Sequence, residues 1–219
     1  MTLLPAIETE TGANPSVSVI WLHGLGADGN DFAPIVPDLQ LPQDLAVRFI
    51  FPHAPAIPVT VNGGFVMPAW YDILEMDIDR KVDTNGLIES AAQIEKFVER
   101  ELERGIDSQK VVIAGFSQGG AVAYHFALGY DKPLAGLLAM STYFATSDIA
   151  NYSVANAAIP ITIHHGQYDP VVPEKLAQKA ITDLKAKGYT LEYKSYPMEH
   201  SVCPEQIADI STWLQAIVG

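Results

Sequence analysis

Ser117, Asp169 and His200 are of the types, and in the chain order, that nucleophilic acyl transfer requires. Ser117 lies within Gly115-Phe-Ser117-Gln-Gly119, a G-x-S-x-G pentapeptide. A serine hydroxyl is a weak nucleophile until a nearby base takes its proton. The pentapeptide suits a sharp strand-to-helix turn that exposes the hydroxyl. Residues two before and two after the serine crowd each other in such a turn, and glycine at both places removes the clash. On its own the pattern is weak, because glycine and serine are common. The flanks strengthen it, with a β-branched run before and a small-residue segment after. The competing interpretation is a Gly-rich turn that cradles phosphate at a helix start. No lysine follows the turn, which argues against a Walker-type loop.

The expected chain order is serine, acid, histidine. Downstream of Ser117 stand His125, His164, His165 and His200. His125 falls inside the helix expected after the nucleophile and is read as a packed or surface residue. His164 and His165 end a strand, so their side chains point to opposite faces and make no natural metal pair; no metal is expected. His200, in Tyr196-Pro-Met-Glu-His-Ser, lies between the last strand and the last helix and is the expected general base. Glu199 beside it is given no role. The acid is expected from His164-His165-Gly166-Gln-Tyr-Asp169-Pro170-Val-Val-Pro173, where Gly166 permits a turn and Pro173 opens a helix. Asp169 there would hold the imidazole in one tautomer and stabilise its cation. Asp148 and Asp183 compete, but neither directly follows an apolar strand.

An oxyanion hole is expected from two main-chain N–H groups. His23-Gly24-Leu25-Gly26-Ala-Asp28-Gly29-Asn30 follows the first apolar run, and its glycines allow close approach of backbone to ligand. This nominates Leu25 for one donor and Gln118, the residue after the nucleophile, for the other. His23 precedes the serine and is taken as structural.

These residues need a scaffold of strands whose ends carry them. Val17–Leu22, Val47–Phe51, Lys110–Phe116, Ala135–Met140, Ile159–His164 and Thr190–Tyr196 read as strands. Continuous apolar, β-branched runs mark strands covered on both faces, hence a mostly parallel sheet. Helical spacing or helix punctuation marks Thr84–Arg104, Gln118–Leu128, Pro173–Lys187 and Pro204–Val218. The alternation predicts a three-layer α/β fold in one domain spanning residues 1–219. Pro52–Arg80 fits no regular element and, as a long loop in a compact domain, is expected to serve the substrate site. Its Trp70, Tyr71, Ile73, Leu74 and Met76 either face substrate or pack the loop onto the core.

Five stretches, HGLGADGNDF, NGGFVMPAWYDI, GFSQGG, HGQYDPVVP and MEHSVCPEQI, occur in this order along nearly the whole chain. Together they resemble the bacterial carboxylesterase and acyl-protein thioesterase family. The resemblance implies the α/β-hydrolase fold and cofactor-free hydrolysis of short-to-medium acyl esters or thioesters. It assigns the triad to Ser117, Asp169 and His200, and the oxyanion donors to Leu25 and Gln118. It also implies an acyl groove near Leu25, Ile73, Leu74, Met76, Tyr143 and Val171, with Tyr143 where the eukaryotic thioesterase groove carries a tryptophan. Family members often pair, so the resemblance allows a homodimer. Rival functions are an acyl-protein thioesterase or lysophospholipase with the same machinery, and a non-catalytic binding protein on the same fold. A dienelactone-type hydrolase is disfavoured by serine in place of cysteine.

The 219 residues include 13 basic and 26 acidic side chains, a formal net charge of −13. Such a chain repels phosphate backbones, so no nucleic acid partner is expected, and it gains nothing at an anionic membrane. Cys203, the one cysteine, allows no intramolecular disulfide. The N-terminus lacks the basic start and apolar core of a signal peptide. No apolar run approaches the ~20 residues of a spanning helix. A soluble, cytoplasmic protein without integral membrane association is therefore expected.

Overall fold

A computed structural model of the chain describes residues 3–75 and 81–219. Nine strands are present among them: β1 (Ala6–Glu10), β2 (Val17–Leu22), β3 (Val47–Pro52), β4 (Ala56–Val59), β5 (Phe65–Pro68), β6 (Val111–Phe116), β7 (Gly136–Met140), β8 (Ile161–Gly166) and β9 (Leu191–Tyr196). The helices are α1 (Thr84–Glu103), α2 (Gln118–Gly129), α3 (Glu174–Ala186) and α4 (Pro204–Val218). Seven strands form one sheet in the order β1-β3-β2-β6-β7-β8-β9. Only the β1–β3 pair is antiparallel; all other neighbours run parallel.

The apolar runs read as strands are strands, Val17–Leu22 with unchanged ends and the others with ends shifted by at most two residues. Every residue of β2, β6, β7 and β8 is buried, because helices cover both faces of the sheet. Alternate residues divide between two cores. Ile20 and Leu22 of β2 and Ile113 of β6 join a core with α1, α2 and α3. Val17, Val19 and Trp21 join another with α4 and a short 3-10 helix, Ala33–Leu39. This is the three-layer α/β architecture expected from the alternation of elements, and it agrees with the α/β-hydrolase fold that the resemblance implies.

Helix ends follow their local chemistry. The Asp83 carboxylate caps α1 by accepting from Gly86 N–H at 3.1 Å, a common way to satisfy an orphan donor of the first turn. Gly105 and Gly188, both at φ +90°, lie just past the ends of α1 and α3, where the backbone turns left-handed.

Two features differ from the sequence reading. β1 pairs along one edge of the sheet and was not expected; its AIETE is too short and polar to show a period. Pro52–Arg80, expected to hold no regular element, contains the antiparallel β4–β5 hairpin, with Ala56 opposite Pro68 and Val59 opposite Phe65. Gly63 and Gly64 at φ +67° and +76° make its turn. Prolines at 58 and 68 mask the pattern, and a two-stranded ribbon has no sheet neighbour that forbids them.

Candidate active site

The site lies at the carboxyl ends of β6, β8 and β9, where open α/β sheets place their ligands. Ser117 leaves β6 at φ 54°, ψ −120° and opens α2. Left-handed backbone is rare for a residue with a side chain and is held here by its surroundings. The flanking glycines are required: a Cβ on Gly115 would lie 2.4 Å from Gly119 O, and one on Gly119 would lie 2.5 Å from His23 O. The Thr142 hydroxyl donates to Ser117 O at 2.6 Å, and Ser117 N–H donates to Met140 O at 2.9 Å. The hydroxyl of Thr142 was not anticipated; no motif marks it.

The structure brings Ser117, His200 and Asp169 together. His200 Nδ1 lies 2.6 Å from Asp169 Oδ2, and its Nε2 lies 2.9 Å from Ser117 Oγ. With Asp169 ionised, the proton resides on Nδ1 and donates to the carboxylate. Nε2 is then the acceptor for the serine hydroxyl. The Phe116 ring packs against the imidazole at a centroid distance of 4.7 Å. The His200 side chain is 16% exposed while that of Asp169 is fully buried, so the triad opens to solvent on the histidine side.

Asp169 Oδ1 accepts from Val171 N–H at 2.9 Å and Val172 N–H at 2.8 Å. Burial pushes this carboxyl upward, but the bonds from His200 and the two N–H groups outweigh it and hold the pKa below its usual value. Behind it, His165 Nε2 donates to Val172 O at 2.7 Å and lies 3.6 Å from Asp169 Oδ2. Burial lowers the pKa of His165, and that of His164 to about 4. His164 turns instead to Thr162 and Tyr196, so the two histidines do face apart. His125 is half-buried and bonded to Thr146. Asp148 is exposed and Asp183 pairs with Lys179, so neither competitor takes part.

The loop after β2 runs beside Ser117: a Cβ on Gly24 would lie 3.3 Å from Ser117 Cβ. Leu25 follows it, half-buried. Gln118 is the first residue of α2, so its N–H has no acceptor within the helix. His23 is buried and structural. Its Nδ1–H donates to Gly24 O at 2.8 Å, and its Nε2 accepts from Ala54 N–H at 3.1 Å. Burial depresses its pKa, in keeping with that neutral tautomer.

The expected groove residues divide by exposure. Ile73 and Tyr143 are buried, while Leu74 and Val171 are about two-fifths exposed. Tyr143 meets the Tyr71 hydroxyl at 2.7 Å. Met76 lies outside the described residues.

The family model described as phospholipase/carboxylesterase matches residues 5–218. An acyl-protein thioesterase 1 of Neurospora crassa is 37% identical over 223 residues, covering 97% of this chain and 89% of its own length. An acyl-protein thioesterase 1 of Saccharomyces cerevisiae is 36% identical over 207 residues, covering 90% and 91%. Among solved structures, Arabidopsis thaliana SOBER1 superposes with a TM-score of 0.87 at 30% identity, covering 93% of this chain and 99% of its own. Zea mays acyl-protein thioesterase 2 superposes with 0.85 at 28%, covering 99% and 100%. With a match over nearly its whole length and relatives above 30% identity, the chain belongs to the phospholipase/carboxylesterase family.

Proposed function

We propose that the chain is a serine carboxylesterase that hydrolyses short-to-medium acyl esters through an acyl-enzyme on Ser117. The observation that carries this is the unbroken hydrogen-bonded succession from Ser117 Oγ through His200 to Asp169. Ser117 Oγ attacks the acyl carbon while His200 Nε2 takes its proton. The carbonyl oxygen gains the electron pair and rests on the N–H groups of Leu25 and Gln118, with the α2 dipole favouring its charge. His200 then gives the proton to the leaving alcohol, and the C–O bond breaks. Water repeats the sequence on the acyl-enzyme and frees the acid. Each step is met by side chains and main-chain groups of this chain, so no cofactor is invoked.

A second reading is favoured by the relatives named acyl-protein thioesterase. The same machinery would then release a thiol from an acylated protein; a lysophospholipid is the further alternative. In either case we assign the whole chain to one domain, with residues 52–80 bordering the substrate and Leu25, Ile73, Leu74, Met76, Tyr143 and Val171 contacting the acyl chain. A cytoplasmic location and an optional homodimer belong to this reading. Among the described residues no helix is long and apolar enough to cross a membrane.

Ser117→Ala removes the nucleophile with little change in volume. It is expected to abolish hydrolysis of p-nitrophenyl butyrate and labelling by a fluorophosphonate, with the circular dichroism spectrum unchanged. Full activity in this variant would overturn the assignment, and absent labelling of the wild type would favour a non-catalytic binding protein. Turnover on soluble esters, acyl-peptides and lysophospholipid then separates the substrate classes.

A further inference from the structure

The two proposed oxyanion donors stand on loops from different strands, and one short segment touches both. Trp70 Nε1–H donates to His23 O at 2.9 Å, in the loop that presents Leu25. Trp70 N–H donates to the Gln118 side-chain oxygen at 2.8 Å, and Gln118 Nε2 donates to Tyr71 O at 2.7 Å. The Gln118 carboxamide thus bridges the N–H of Trp70 and the C=O of the residue after it. The segment is itself fixed: the Ser90 hydroxyl donates to Trp70 O, and one residue before Trp70 and Tyr71, Ala69 N–H donates to Pro55 O at 3.0 Å. Gly26 N–H, one residue beyond Leu25, donates to Pro68 O at 2.8 Å. Trp70, Tyr71, His23 and Gln118 are all essentially buried, where hydrogen bonds are costly to break.

We propose that Trp70 is a positioning residue for the oxyanion hole: with the Gln118 side chain it forms a buried strut that sets the Leu25 loop relative to the start of α2. The inference rests on the esterase reading. Trp70 touches no reacting atom and acts through the N–H donors it locates. Its indole is chosen over a plain aromatic ring because the Nε1–H reaches across to a carbonyl in the loop, which a phenyl ring cannot do.

The test uses Trp70→Phe, which keeps an aromatic ring and deletes the donor, and Gln118→Met, which keeps length and deletes the bridge. Each is measured per active site titrated with fluorophosphonate, on p-nitrophenyl butyrate and with an alkyl trifluoromethyl ketone. Ser117 Oγ adds to that ketone, its proton passes to His200 Nε2, and the resulting oxyanion occupies the hole. Misplacing donors by a fraction of an ångström should lower kcat about 10-fold or more, with KM nearly unchanged. The ketone should lose affinity by the same factor, since it binds the hole as the transition state does. A merely structural role would lower the melting temperature and the titratable fraction while leaving kcat per site and ketone affinity unchanged, and that result overturns the proposal. Should Trp70→Phe fail to fold, Gln118→Met carries the same comparison. A wild type that neither hydrolyses ester nor labels would instead sink the esterase reading.

Discussion

At the scale of single residues, the two oxygens of Asp169 are divided between separate duties. Oδ1 takes two main-chain N–H groups and so fixes its own loop, while Oδ2 takes the imidazole proton. Asp169→Asn keeps the shape but offers an amide to Nδ1, which favours the tautomer with its proton on Nε2. That nitrogen can no longer accept from Ser117. Turnover on p-nitrophenyl butyrate is expected to fall by about 10⁴-fold without unfolding, measured by steady-state kinetics beside circular dichroism. The same carboxyl links stability to acidity. Its pKa is held below the usual 3.8 in the folded chain, and unfolding restores that usual value. Its contribution is therefore complete above the unfolded value and is lost as pH falls through the folded one. The melting-temperature advantage of wild type over Asp169→Asn should shrink from pH 6 to pH 3, and an advantage constant with pH would refute the linkage. The hydrogen-bonded meeting of Ser117, His200 and Asp169 was legible in the sequence because acyl transfer restricts residue type and order. The Gln118 side chain was not, since its partners are main-chain atoms 47 and 48 residues away, and peptide groups leave no trace in residue identity.

Elements add constraints that no single side chain carries. The elbow between β6 and α2 works because three stretches of backbone meet there without side chains between them. In Gly119→Ala the new Cβ would press on Leu22 O and His23 O at 2.6 and 2.5 Å, main-chain atoms that cannot swing aside. Overpacking of this kind costs about 1–3 kcal/mol, and here it would also displace the loop after β2, whose Leu25 N–H is proposed to hold the oxyanion. Both a lower melting temperature and at least a tenfold loss of kcat are expected; a variant with normal stability and turnover would contradict the packing. The edge strand β1 is held differently. Glu8 pairs with Arg100 and Arg104, Arg48 joins Glu10 to Glu101, and the buried Glu101 also meets Arg104. Glu101→Ala leaves guanidinium groups facing one another at a buried seam and should cost about 3 kcal/mol or more. Glu10→Ala, whose side chain is 45% exposed, should cost under about 1 kcal/mol. Urea denaturation of the two variants checks the contrast. Continuous apolar runs located the buried strands because those strands are covered on both faces, while helical spacing marked α1 and Pro and Gly punctuation marked α3. Sequence periodicity missed β1 because that strand is fixed by charges whose partners lie about 40 to 100 residues away in the chain.

Across the whole molecule, fold and reaction class were readable while substrate identity was not, and the cause is chemical. Acyl transfer acts on one carbonyl, so the triad and its glycines are the same for an ester or a thioester. The residues proposed to contact the acyl chain, from the exposed Leu74 and Val171 to the buried Tyr143, would constrain chain length only through shape. The charge of the molecule, however, discriminates at a distance. A net charge of −13 surrounds the site with negative potential that screening removes beyond roughly 10 Å at 0.1 M salt. Encounter with a cationic ester is thus accelerated at low ionic strength and encounter with an anionic one is slowed. For a matched set of butyrate esters with cationic, neutral and anionic leaving groups, raising salt from about 10 mM to about 500 mM should lower kcat/KM a few-fold for the first and raise it for the last. The neutral ester should respond little, which separates screening from a general effect of salt on the enzyme. Equal responses from all three would mean that the acidic residues are too dispersed to act at the site, and that their excess serves solubility alone.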